Sequence, residues 1–191
     1  MQTTKILLEE HVWIRRLLEC LEKLAGDSSE TGTVDAEASA ELLLLFQEFA
    51  DGWHQEGEEQ YLFPRLLARS SAEEGAVIRG LLKEHESEVQ LMLSMRSNLL
   101  GAEHGESLSL REFVRQAREY VELQRKHMAK ETAVVLPLAE RLLTAADDQA
   151  IMEGIDGLLS GGPQARERVF ERVRGLCERL EVSVDSRIRT Q

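Results

Sequence analysis

The sequence lacks several features that mark particular classes of protein. Its longest uninterrupted apolar run, from Leu42 to Phe46, is far shorter than the about 20 residues that a membrane span needs. The start of the chain shows no signal-peptide pattern, so we expect a cytoplasmic protein with no membrane partner. The two cysteines, Cys20 and Cys177, form no CxxC pair, which argues against a zinc ribbon or a redox motif. We interpret both as buried or idle thiols.

Positive charge is also scarce in this chain. Only 23 Lys and Arg residues face 35 Asp and Glu residues, which gives a formal net charge of −12 at pH 7. Such a charge opposes general electrostatic attraction to nucleic acid or to anionic membranes, so we expect no nucleic-acid partner. Small or uncharged ligands fit this composition better. With 42% hydrophobic residues in 191, the chain can bury one sizeable core.

Apolar residues recur at helical spacing along almost the whole chain. The periodicity predicts helices over about 4–25, 35–69, 72–100 and 108–143, with Asp35 as a helix N-cap and a polar loop at 101–107. Gly52 and Gly57 fall inside the second helix and allow a local kink there. Four helices with short connections predict an all-α fold, an up-and-down antiparallel four-helix bundle.

The C-terminal part of the chain follows this bundle as a separate segment. We divide the sequence into a bundle at 1–145 and a helical extension at 146–191. A weak segment at 147–159 precedes an additional C-terminal helix that begins at Pro163 and carries one apolar stripe. We favour packing of this stripe on the bundle over a homodimer contact, and we expect 183–191 to be a frayed tail.

One motif occurs twice with a constant offset. His54, Glu58 and Pro64 recur 73 residues later as His127, Glu131 and Pro137. The pair Glu10–His11 recurs as Glu84–His85 with an offset of 74. A helix brings residues four apart onto one face, so each HxxxE pair points an imidazole and a carboxylate the same way. The chain therefore reads as a helix pair written twice.

Together the four helices supply one set of polar groups for the bundle interior: His11, His54, Glu58, His85, His127 and Glu131. A single histidine on a helix is usually an ordinary core or surface residue, and we assign the fifth, His104, to the solvated loop. Burying four imidazoles and two carboxylates without partners costs several kcal/mol, and a metal removes that cost. Two cations suit six ligands better than one, and mixed nitrogen and oxygen ligation favours iron or manganese. We read the neighbouring acids Glu10, Glu59, Glu84, Glu86 and Glu88 as a solvated face.

The order H…HxxxE…H…HxxxE, with LFP and VLP after the two paired motifs, resembles the hemerythrin-like HHE cation-binding domains. The resemblance covers about residues 5–143. It implies a non-haem, carboxylate-bridged di-iron site, with manganese or zinc less favoured. In that arrangement the four histidines would be terminal ligands, and Glu58 and Glu131 would be bridges.

The sequence departs from the oxygen-carrying members at one position. Those members place a second histidine four residues after the one on the third helix, where this chain has Val89. We expect an open or water-filled coordination position, unless Glu88 or one of Tyr61 and Tyr120 takes it. The tyrosines are otherwise plain core aromatics.

Three functions stay open at this point. A di-iron protein would bind or sense O2, peroxide or nitric oxide, in keeping with a stress-response role. An oxidoreductase would turn over peroxide or nitric oxide at the same site, or would serve iron-sulfur repair. The repair members carry a cysteine-containing domain ahead of the bundle, which we do not expect here because His11 lies so near the start. A structural bundle would bind metal loosely and act through its C-terminal helix.

Overall fold

The computed structural model describes residues 1–159 and 163–183, and these residues form helices without any strand. The helices are α1 (Gln2–Thr31), α2 (Ala36–Leu45), α3 (Phe63–Leu67), α4 (Ala72–Glu103), α5 (Ser107–Lys130), α6 (Leu136–Leu142), α7 (Ala145–Leu158) and α8 (Pro163–Arg179). Wider π-helical segments, Phe46–Gln55 and Glu58–Leu62, join α2 to α3, and a third, Glu131–Val135, joins α5 to α6. The all-α prediction is therefore confirmed.

Local sequence signals set where these helices begin and end. The Asp35 side chain accepts a hydrogen bond from the Ala38 amide and caps α2, as predicted. Ser71 and Glu74 form a reciprocal capping box at the start of α4. Gly32 ends α1 with a φ of 73°, a left-handed conformation that glycine adopts without strain. α1 thus extends six residues beyond the predicted end at 25, to Thr31.

The π segments follow from proline and glycine placement. Pro64 and Pro137 each stand two residues after a π segment, at the start of α3 and α6. Proline lacks an amide hydrogen and its ring crowds the carbonyl four residues earlier, which favours a wider turn just upstream. In the longer segment, a side chain at Gly52 would begin 2.9 Å from the Gln47 carbonyl oxygen, so only glycine fits there. The kink allowed at this point of the sequence is thus a stretch of π-helix.

The long helices form a closed four-sided bundle, in which α1 packs against α2 and α5, and α4 packs against α2 and α5. Its apolar core falls into two clusters. One includes Ile14, Phe46 and Tyr120, and the other includes Leu7 and Phe63. On α1, His11 lies between Leu7 of one cluster and Ile14 of the other. A polar layer therefore separates the two apolar ends of the bundle.

The C-terminal segment packs on the outside of this bundle. The stretch expected to be weak is a full helix, α7, which starts at a capping box formed by Thr144 and Asp147. It passes so close to the π-helical segment Glu58–Leu62 that a side chain at Gly154 would collide with the Tyr61 ring. α8 packs on α1 and α2, and its Phe170 stacks on Trp13 with ring centroids 4.8 Å apart.

Two sequence predictions concern segments outside this description. The tail expected to be frayed covers 183–191, of which 184–191 lie outside the described residues. Residues 160–162, in the turn before Pro163, also lie outside them. Among the residues described, no helix combines the length and the apolar character needed to cross a membrane.

Candidate metal centre

The six side chains predicted from the repeat meet in the middle of the bundle. They are buried, and they form two groups in which one ligand atom from each residue lies within 4.8 Å of the others. The first group contains His11 and His54, the second contains His85 and His127, and both contain Glu58 and Glu131. The structure thus provides two neighbouring places that could hold a metal ion, with two carboxylates common to both.

The inward-facing atoms of this layer crowd together without pairing well. His11 Nε2 lies 3.0 Å from Glu131 Oε2, and His127 Nε2 lies 2.8 Å from Glu131 Oε1. Nevertheless, none of the described residues forms a hydrogen bond of acceptable geometry with His11 Nε2, with His54 Nε2 or with any of the four carboxylate oxygens of Glu58 and Glu131. Each such buried group costs about 1–3 kcal/mol when it is unpaired. Cations between these atoms would remove that cost, so the residues present fit a metal pair.

The other nitrogen of each imidazole is held from outside the cluster, and two of these contacts repeat along the chain. His54 Nδ1 lies 2.9 Å from Glu10 Oε2, and His127 Nδ1 lies 3.1 Å from Glu84 Oε2. Glu10 and Glu84 are the two acids of the repeated Glu-His pairs. A carboxylate that accepts from Nδ1 fixes the ring tautomer and leaves Nε2 to face a metal.

The remaining two imidazoles show the same arrangement with one difference. His85 Nδ1 lies 2.7 Å from Glu59 Oε1, whereas His11 Nδ1 lies 3.4 Å from the Thr132 hydroxyl. Glu59 and Thr132 are again 73 residues apart, so they occupy equivalent positions of the repeat. One half of the site has a carboxylate here and the other half has a weaker hydroxyl contact.

The interpretation of the neighbouring acids as a solvated face was therefore wrong for Glu10 and Glu88, whereas Glu86 is exposed. Glu10 and Glu88 are completely or almost completely buried. Glu59 and Glu84 are partly exposed but bond to imidazoles. The signal was present in the sequence, because Glu10 and Glu84 follow the repeat together with their histidines.

The two shared carboxylates, Glu58 and Glu131, have pKa values shifted in opposite directions. Burial raises the pKa of Glu58 well above its usual range, and repulsion by Glu131 raises it further. Burial also opposes ionisation of Glu131, but His127 and His11 outweigh it and hold its pKa well below the usual range. Without metal, the proton of this pair therefore favours Glu58 and the negative charge favours Glu131.

The imidazole pKa values also shift in different directions. Burial works against a charge on His127, but Glu131 overcomes it and raises the pKa of His127 to about 9. Burial and the neighbouring His127 lower the pKa of His85 to about 3. Burial also lowers the pKa of His11. In the metal-free cluster the charged form of His127 is thus stabilised beside the ionised form of Glu131.

Val89, which stands where oxygen-carrying members have a histidine, does not face the cluster. Val89 is 37% exposed, so its side chain lies toward the outer side of α4. Glu88 is fully buried instead, and its Oε2 accepts a hydrogen bond from Gln55 Nε2 at 2.5 Å. Its Oε1 lies 3.9 Å from His127 Nδ1, the ring nitrogen that faces away from the cluster. Glu88 belongs to neither candidate metal group.

Among the described residues, neither tyrosine hydroxyl forms a hydrogen bond with the six side chains of the cluster. The Tyr120 hydroxyl accepts from Gln124 Nε2 at 3.4 Å, and its ring meets Phe46 edge-on. The Tyr61 ring packs against Gly154 of α7. Both residues act as packing aromatics in this structure, as the sequence favoured.

A contact that the sequence did not predict comes from α8. The Arg166 guanidinium, only 16% exposed, lies 3.3 Å from Glu10 Oε1. Glu10 in turn holds His54 through its other oxygen. The C-terminal segment therefore touches the outer side of the candidate metal centre.

The described residues thus form a helical bundle with a candidate cation site, built from histidines and glutamates, at its centre. The family model described as hemerythrin HHE cation binding domain matches residues 2–139 of this chain. The chain belongs to the hemerythrin HHE cation-binding family. Comparison with curated proteins and with solved structures gave no match.

Proposed function

We propose that this protein is a non-haem di-iron protein that binds, senses or reacts with O2, peroxide or nitric oxide. The observation that supports this most strongly is the pair of four-residue groups that share Glu58 and Glu131. Two groups with two common carboxylates fit a bridged pair of cations, whereas a structural zinc site is complete with four ligands.

We take the metal to be iron because the ligand set suits iron or manganese and the resemblance to hemerythrin-like domains implies iron. Each group offers two imidazole nitrogens and oxygens from two carboxylates, a mixture that suits iron or manganese. A bound iron pair would supply open coordination positions and one-electron redox chemistry for a small ligand. With four protein residues at each position, a bound metal ion would still have room for a small ligand.

The chain's own residues would prepare this site in three ways. Glu10, Glu59 and Glu84 orient imidazoles through Nδ1, so that Nε2 faces the cations. Glu58 and Glu131 balance the cationic charge inside the bundle. The two apolar clusters above and below the layer exclude bulk water and thereby strengthen its electrostatic interactions.

Anaerobic reconstitution with Fe(II) tests the proposal. We expect about two iron ions per chain, as a bridged pair requires. We also expect an optical change when O2, nitric oxide or peroxide is added, because oxo-bridged ferric pairs absorb where zinc is silent. Well-folded protein with less than one iron per chain, or loaded protein that gives no optical change with any of the three ligands, would contradict the proposal.

A matched pair of variants controls this experiment. Glu58→Gln removes a shared carboxylate, whereas Glu56→Gln alters an exposed acid two residues earlier in the chain. Only the first should lower bound iron. Equal loss in both variants would show that the iron is bound elsewhere on this acidic chain.

A second candidate function is turnover of peroxide or nitric oxide at the same site, which needs a proton donor near the iron pair. The observation that favours it is Glu88, a fully buried carboxyl group whose Oε1 is unpaired and lies 3.9 Å from His127. Steady-state consumption of peroxide or nitric oxide separates an enzyme from a binding protein. Glu88→Gln should then slow turnover without loss of iron, and the exposed Glu86→Gln should not.

A further inference from the structure

The two cysteines of the chain lie in contact. Cys20 stands on α1 and Cys177 on α8, and their sulfur atoms are 3.3 Å apart although 157 residues separate them. Both side chains are fully buried and both thiols are free. The interpretation of these residues as buried or idle thiols agrees with their burial, but it did not place the two cysteines in contact.

The contact is close enough for a bond between the sulfurs. A disulfide has an S–S distance of about 2.05 Å, so the sulfurs would have to approach by about 1.3 Å. The thiols also influence each other's ionisation. A hydrogen bond joins the two sulfurs, and it raises the pKa of Cys20 and lowers that of Cys177. Cys177 is the sulfur that ionises first.

We propose that Cys20 and Cys177 form a redox-active dithiol, which peroxide oxidises to an intramolecular disulfide that fastens α8 to α1. This inference rests on the sulfur contact and does not depend on the proposed di-iron site.

The reaction balances with one peroxide molecule per disulfide. The Cys177 thiolate attacks one peroxide oxygen, the O–O bond breaks, and a sulfenic acid forms while hydroxide leaves and takes up a proton. Cys20 then attacks the sulfenic sulfur, the S–S bond forms, and the second oxygen leaves as water. Two thiols lose two electrons and two protons in total, and peroxide is reduced to two molecules of water.

The position of Cys177 explains how peroxide reaches a buried thiol. Cys177 lies in the last turn of α8, which ends at Arg179. The end of a helix opens locally at a lower free-energy cost than its interior. Peroxide is small, so opening of this last turn exposes Cys177 without unfolding the bundle.

The disulfide would close a loop that contains most of the chain. It would also hold the helix that carries Arg166, the residue that contacts Glu10 beside the candidate metal centre. Oxidation would thus keep α8 in its packed position on α1 and α2.

The test uses purified full-length protein, first reduced and then treated with hydrogen peroxide in the presence of a chelator. Unreacted thiols are alkylated in denaturant, and the chain is measured by intact and peptide mass spectrometry. We expect loss of both free thiols together, a mass decrease of about 2 Da, and a cross-linked peptide pair containing Cys20 and Cys177, all reversed by dithiothreitol. The melting temperature should rise by about 10 °C on oxidation.

The variants C20S and C177S control the assignment, since each removes one sulfur and keeps a side chain of similar shape. Neither should show the mass decrease or the melting shift. Two alkylatable thiols after peroxide treatment, sulfinic acid on one cysteine alone, or disulfide-linked dimers would each overturn the proposal. An unchanged melting temperature in the cross-linked protein would overturn the fastening of α8.

Discussion

The two halves of the candidate metal centre are related by the sequence repeat, yet their surroundings differ. In the first half, His11 and His54 are backed by Thr132 and by Glu10, which is buried and paired with Arg166 of α8. In the second half, Glu59 and Glu84 back His85 and His127, and both acids are partly exposed. Lys130, a partly exposed cation, pairs with Glu84.

This difference teaches that one repeated motif can give two unequal cation positions. The first half is closed by the C-terminal helix, and the second half reaches solvent through its outer carboxylates. Outer contacts of this kind tune metal affinity by about 10–100-fold. We therefore expect the second half to exchange its cation faster than the first.

The largest expected effect comes from removing a residue that both halves share. Glu131→Gln should lower bound iron from two ions to one or none, because Glu131 belongs to both groups and its carboxylate charge offsets that of the cations. Metal analysis beside circular dichroism checks this, and we expect most of the helicity to remain since helix packing supplies the fold. Complete unfolding of the variant would mean instead that the metal is part of the stability of the core.

A smaller effect should follow when only one half is changed. His54→Ala should cost the first cation and leave the second, so about one iron should remain per chain. His127→Ala should give the mirror result, and His104→Ala, in the exposed loop, should change nothing. Loss of both ions in His54→Ala would show that the halves do not load separately.

Proton release sharpens the comparison further, because His127, whose pKa is raised, belongs to the second half. At pH 7 the metal-free protein holds a proton on His127, whose pKa is about 9. A metal ion at this position must displace that proton, so uptake should release at least one proton and affinity should rise with pH up to about 9. The raised pKa of Glu58 acts in the same direction. Calorimetry in buffers of different ionisation enthalpy measures this, and uptake without proton release would contradict it.

The raised pKa of His127 also makes the stability of the metal-free protein depend on pH. Its folded-state pKa, about 9, exceeds the ordinary histidine value of 6.5. This group therefore contributes stability that is fully present below about pH 6.5 and is lost as the pH rises through about 9.

The smallest expected effect concerns the C-terminal helix. Arg166→Gln should speed chelator-driven release of the first-half cation by about tenfold and leave the second-half phase unchanged, since Arg166 acts through Glu10 on His54 alone. Arg172→Gln, an exposed arginine on the same helix that pairs with Glu48, is the matched control. Equal acceleration of both release phases would point to a general loosening of the bundle.

Much of this picture could be predicted from residue spacing. Apolar periodicity predicted the helices of the bundle, and the two repeated motifs, with offsets of 73 and 74, selected the six polar residues that the structure brings together. Both patterns are local or repeat along the chain, so they can be recognised without knowing how the helices pack against each other. Their role as metal ligands remains a prediction.

The contacts that the sequence missed depend on packing between distant segments. The pairing of Cys20 with Cys177 and the reach of Arg166 to Glu10 require the position of α8 on the bundle, which an apolar stripe alone does not determine. The partners of the imidazoles were misread for a different reason. Glu10 and Glu84 looked like ordinary surface acids in an acidic chain, although the repeat carried them along with their histidines.

Anomalous diffraction at the iron edge from crystals of the iron-loaded protein tests the central claim most directly. The account predicts two peaks per chain, about 3.5–4 Å apart, with Glu58 and Glu131 between them and one pair of histidines on each side. A single peak, or peaks away from this layer of the bundle, would contradict it.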